Sequence, residues 1–103
     1  MHTPGPYLRS GPLVYALQGE GAAATNRFTA DVYPGFTANG ERTPLSELEA
    51  VATLFQAAPD LLAACEAARE ALQRAVDNFR GEAQKPFLAA LATVEAAISK
   101  ARG

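Results

Sequence analysis

Thr43-Pro44-Leu45-Ser46-Glu47-Leu48-Glu49, residues 43–49, is where this chain changes its period. Before it, apolar residues alternate; after it, they recur every three or four positions. A strand and a helix present one face with those two spacings. Thr43 is predicted to cap the first helix, with Pro44 at the first helical position, where its missing N–H costs nothing. Ser46-x-x-Glu49 offers an alternative capping box one turn later. Composition shifts at the same place. Six of the eight glycines, five of the seven prolines and all three tyrosines lie before residue 45, and alanine dominates beyond it. Gly and Pro punctuate turns, whereas Ala, Leu, Glu, Gln and Arg favour helix.

Upstream of the junction, Arg27-Phe28-Thr29-Ala30-Asp31-Val32-Tyr33 alternates cleanly. Phe28, Ala30 and Val32 share one face, and Arg27, Thr29, Asp31 and Tyr33 the other, which fits a sheet with one covered and one open side. Leu13-Val14-Tyr15-Ala16-Leu17 reads as a second strand, with Leu13, Tyr15 and Leu17 on one face. Residues 6–9 suit a short edge strand, where proline is tolerated. Gly19 to Asn26 reads as a mobile loop, and Asn39-Gly40 as a turn. Downstream, Leu45, Leu48, Val51/Ala52 and Phe55 form a helical stripe. Pro59 interrupts it and opens a second helix, with Asp60 in the first turn. Leu61, Cys65, Ala68, Leu72, Val76 and Phe79 keep helical spacing up to Gly81, a C-terminal stop signal. Pro86 restarts a last helix carrying Phe87, Leu91, Val94 and Ile98.

The expectation is an α+β fold: a small N-terminal antiparallel sheet of two to four strands, a short helix, and a C-terminal antiparallel helical hairpin. The 103 residues suffice for one domain, with residues 1–42 β-rich and 43–103 helical. A chain this size buries roughly two-thirds of its unfolded surface. The resulting core is thin, and the Ala-lined helices suit close approach, so a homo-oligomer is expected.

Chemistry is sparse. His2 is the sole histidine and Cys65 the sole cysteine, so no intramolecular disulfide and no Cys/His metal set exists. Ser10 and Ser99 lack a neighbouring base. Glu66, Glu70, Arg69 and Arg74 read as a solvated helical face. Gly19-Glu20-Gly21-Ala22 lacks the later glycine and the strand–helix context of a phosphate loop. No enzyme activity and no cofactor is expected. Formal net charge is −2 and the nine basic residues are scattered, which disfavours a nucleic-acid polymer as partner. Met1-His2-Thr3-Pro4-Gly5-Pro6 has neither the basic nor the apolar region of a signal peptide, and no apolar run reaches the ~18–20 residues of a span. A cytoplasmic location with no membrane partner is therefore expected.

What remains is a binding surface. Tyrosines, Phe36, Arg9, Arg27 and Arg42 crowd the β-rich part. Aromatic faces stack on bases and guanidinium pairs with phosphate. Tyr7, Arg9, Arg27 and Tyr33 are the candidate ligand-binding residues for a small nucleotide-type molecule. The competing reading makes the tyrosines half-buried covers of the sheet.

Two stretches carry a resemblance. His2-Thr3-Pro4-Gly5-Pro6-Tyr7 resembles the His-Thr-Pro-Gly-Pro-Trp start of a set of small phage and prophage proteins, with Tyr7 in place of Trp. Val51-Ala52-Thr53-Leu54-Phe55-Gln56-Ala57-Ala58-Pro59-Asp60-Leu61-Leu62 is similar to the Ala-Ala-Ala-Pro-Glu/Asp-Leu-Leu helix of that set, and Val94 to Ala101 to its tail. In architecture the chain is also similar to phage sponge proteins such as the first Thoeris anti-defence family. That similarity implies a small, oligomeric, non-enzymatic protein that sequesters a cyclic oligonucleotide or cyclic ADP-ribose signal. The alternative is an adaptor or inhibitor that docks its helices on a host or phage protein.

Overall fold

A computed structural model of the chain describes residues 2–19 and 21–103. Met1 and Glu20, which belong to the N-terminal run and the glycine loop read above, lie outside the described residues. The chain is α+β, with three strands followed by helices. It divides into two compact units, Thr3–Pro59 and Asp60–Gly103, the latter together with His2.

The first unit is built on an antiparallel meander of β1 (Leu8–Ser10), β2 (Leu13–Gln18) and β3 (Thr25–Asp31), in spatial order β1-β2-β3. Ser10 pairs with Leu13, so the first turn has only two central residues. Gly11 takes φ +60° there, a conformation that a Cβ makes costly. The Arg9 guanidinium donates to the Gly11 carbonyl at 2.9 Å. Beyond β2, Gly21–Ala23 forms a single 3-10 turn rather than an open loop, and β3 begins at Thr25, two residues before the alternating run.

The covered face of the central strand is not the one with the largest side chains. Val14 and Ala16, 0% and 1% exposed, point inward, whereas Leu17 is half exposed. Val14 pairs with Ala30 and Ala16 with Phe28, so one face carries all four. The first helix, α1 (Leu45–Gln56), packs on β1 and β2 with Leu48 and Ala52 buried. Small residues face it because helix and sheet must approach closely. Tyr7, Phe28 and Phe55 close the edge of this core, with ring centroids 5.0, 6.1 and 6.3 Å apart. Such edge-to-face and tilted pairs add to simple area burial. The Tyr7 hydroxyl donates to the Thr3 carbonyl at 2.9 Å. Gly5 lies so near Pro59 that a Cβ there would stand 3.2 Å from the proline Cβ.

Residues 32–44 form a strap between β3 and α1. The Thr37 amide donates to the Glu41 carbonyl at 2.7 Å, and Phe36 bridges Arg42 across the Asn39-Gly40 turn, where Gly40 takes φ +81°. The strap sets the helix start. Pro44, at φ −65° and ψ 148°, is itself the N-cap, and Thr43 stands outside. The Thr43 amide is engaged by the Gly35 carbonyl at 2.9 Å, and neither Thr43 nor Ser46 caps through its side chain. α1 therefore begins at Leu45, one residue later than its capping signals predict.

In the second unit, α2 (Ala58–Asn78) and α3 (Lys85–Arg102) run antiparallel. Phe79 stacks on Phe87 at 5.1 Å near one end, and Arg102 meets Glu66 at 2.6 Å near the other. Val76, Leu91 and Ile98 are the buried residues between them. α2 stops at Asn78 rather than at Gly81, which instead opens a 3-10 turn at φ +64°. Side chains satisfy its last carbonyls: Arg80 donates to those of Val76, Asp77 and Phe79, and Gln84 to that of Val76 at 2.8 Å. Helix ends need such partners for four orphan carbonyls. Among the described residues, no single helix is long and apolar enough to cross a membrane.

Candidate functional site

Where β3 ends, the chain builds a groove of about 490 Å³ within the sheet unit. Pro12 comes from the first turn, Asp31, Val32, Tyr33 and Pro34 from the end of β3, Arg42 and Thr43 from the strap, and Leu45 and Leu48 from α1. Local sequence explains each position. The Val32 amide donates to the Pro12 carbonyl at 3.0 Å and extends the ladder one step beyond Asp31. Pro34 then carries no N–H, so the strand stops. Tyr33 is left at the rim, 80% exposed. The Asn39-Gly40 turn brings Arg42 back beside it. The Arg42 guanidinium and Tyr33 hydroxyl make no hydrogen bond to the described residues.

A ring, a guanidinium and a carboxylate thus line one groove with the apolar Val32, Leu45 and buried Leu48. Such groups are chemically able to stack a flat π-system on the Tyr33 ring, pair a phosphate with the Arg42 guanidinium and accept a hydrogen bond at the Asp31 carboxylate. An apolar lining with a few polar groups at its rim is the usual make-up of a small-molecule site.

The four residues predicted from sequence do not gather here. Tyr33 lines the groove. Tyr7 is half-buried in the aromatic trio and its hydroxyl is engaged by Thr3. Arg9 is exposed and closes the β1–β2 turn. Arg27 lies at the opposite end of β3, where the pairing shifts between Ala16 and Leu17 and leaves it without a partner on β2. Its guanidinium donates to Gln18 Oε1 at 3.3 Å and lines a separate hollow of about 330 Å³ beside Thr3, Pro4 and Gly5. That bulge, invisible to strict alternation, frees Arg27 from β2, while Arg27, Thr29, Asp31 and Tyr33 stay exposed and alternate with the more covered Phe28, Ala30 and Val32 as the spacing predicts. Asp31 shares the strand face of Tyr33, and Arg42 was reachable from sequence only through the turn at Asn39-Gly40, which returns the chain by a known number of residues.

The hairpin unit holds a third hollow, about 520 Å³, lined by His2, Leu62, Glu66, Ala101 and Arg102. Its two opposite charges already pair with each other. Among the described residues, no three His, Cys, Asp or Glu side chains come together as a metal site. Cys65 is partly exposed on α2.

No curated protein and no solved structure matches the chain. A family model does, that of Salmonella phage P22 protein Y8K6, over residues 1–103. With the match running the whole length of both units, the chain belongs to the Salmonella phage P22 protein Y8K6 family.

Proposed function

We propose that this phage protein is a non-enzymatic binder that sequesters a small nucleotide-type signal of the cyclic oligonucleotide or cyclic ADP-ribose class. It acts as a homo-oligomer in the host cytoplasm and so blunts an antiphage response. One observation carries the reading: Tyr33, 80% exposed, stands with Arg42 and Asp31 on one apolar groove. An aromatic ring left in water beside a guanidinium with no hydrogen bond among the described residues offers base stacking and phosphate pairing together. The groove volume, about 490 Å³, falls in the range of small-ligand sites. The formal charge of −2 argues for a small ligand over a polyanion. The resemblance of residues 2–7 and 51–62 to small phage proteins, and the architectural likeness to anti-defence sponges, supports the same reading by analogy.

Titration calorimetry against cyclic di- and trinucleotides and cyclic ADP-ribose isomers tests it. One member binds in the micromolar range or tighter, and Tyr33→Ala or Arg42→Ala abolishes the signal. Silence across the panel refutes the reading. Ligand recovered unaltered after heat release separates sequestration from turnover.

A second reading, an adaptor or inhibitor docking its helices on another protein, has its own observation. Val51 and Leu54 of α1 are 49% and 65% exposed. One stoichiometric partner retained by the native chain and lost on Leu54→Asp supports it.

A further inference from the structure

We propose that two copies of this chain join along the outer edge of β3, in an antiparallel two-fold pairing centred on Thr29. The inference rests on the homo-oligomer reading and gives it an interface. Among the described residues of its unit, β3 pairs with β2 alone and α1 packs on β1 and β2, so no described element there covers the far edge of β3. The ladder also tells which groups point outward. The Val32 amide donates inward to Pro12, and inward bonds recur at every second residue. Ala30 and Phe28 therefore turn their N–H and C=O groups to β2. Thr29 and Asp31 turn theirs away.

Natural edges are usually blunted by proline, lysine or a short strand. β3 has seven residues and neither proline nor lysine; its charges are Arg27 and Asp31 alone. Those two choose the register. A two-fold pairing centred on Thr29 sets Arg27 opposite the partner's Asp31, and Asp31 opposite the partner's Arg27. Centring on Arg27 or Asp31 instead opposes like charges. Opposite charges directly across a ladder attract, and like charges repel. The bulge helps here, because Arg27 has no β2 partner and only a 3.3 Å bond to Gln18 to give up. Asp31 also lines the Tyr33–Arg42 groove, so the partner's Arg27 would bring that groove a second guanidinium.

Light scattering across a dilution series reads the association, and far-UV circular dichroism checks each variant's fold. The native chain is dimeric. Arg27→Asp and Asp31→Arg each weaken the dimer roughly ten-fold or more, the scale of two like-charge oppositions, and the double exchange restores it. In a Cys65→Ser background, Thr29→Cys forms an inter-subunit disulfide under mild oxidation, whereas Asn26→Cys does not. A dimer indifferent to both charge reversals and uncrosslinked at position 29 overturns the edge pairing while self-association stands. A native chain that is monomeric throughout overturns self-association itself.

Discussion

Tyr7 separates a packing role from a ligand role, and its two simplest substitutions should behave very differently. Tyr7→Phe keeps the ring and removes only the hydroxyl that donates to the Thr3 carbonyl at 2.9 Å. That bond is partly exposed, so water can replace it, and the loss should be about 0.5–1 kcal/mol. Tyr7→Ala also removes the ring that stands 5.0 Å from Phe28 and 6.1 Å from Phe55. Deleting a fully buried aromatic costs about 3–5 kcal/mol, of which a half-buried ring forfeits the lower part, about 2–3 kcal/mol. Two aromatic contacts at about 0.5–1.5 kcal/mol each account for much of that figure. Urea unfolding monitored by tyrosine emission and far-UV circular dichroism measures both variants, since the chain has no tryptophan. Nucleotide affinity per folded molecule should stay unchanged in Tyr7→Phe. If Tyr7→Ala destabilises by less than about 1 kcal/mol, the ring is not part of the core and this reasoning fails.

In the hairpin, Ile98 is 3% exposed between α2 and α3, and Ile98→Ala should cost about 2–4 kcal/mol by chemical denaturation. Gln84→Ala deletes the 2.8 Å bond to the partly buried Val76 carbonyl; a loss of about 1 kcal/mol, with faster amide exchange in the last turn of α2, is expected. The Glu66–Arg102 pair is substantially exposed, so Glu66→Gln should shift stability by less than about 1 kcal/mol, and 1 M salt should erase the difference.

Most of the architecture could be read from spacing. Proline and glycine placed the element boundaries to within a residue or two, because their backbone restrictions act locally. Pro59 and Pro86 open α2 and α3 as expected. The gaps and misreadings arise where tertiary contact decides. Spacing separated Leu13, Tyr15 and Leu17 from Val14 and Ala16 but did not say which face is covered; the smaller pair faces α1, because close helix–sheet approach selects for size. Pro44 caps α1 because the strap holds the Thr43 amide on Gly35. The site was legible only in part. Tyr33 and Asp31 were read on one strand face, but Arg42 is brought to them by a turn, and the bulge at Arg27 leaves no trace in residue type.

The sequential order of the meander bears on how quickly this protein becomes useful. Every strand pairs with its neighbour in the chain, so its contacts are of low order, and such topologies collapse fast. The residues lining the Tyr33 groove all fall between Pro12 and Leu48. Domains form from the N-terminus as they emerge from the ribosome. The groove can thus assemble once Pro59 clears the exit tunnel, while the hairpin is still being translated. The half of the molecule that carries the Tyr33 groove is the half made first.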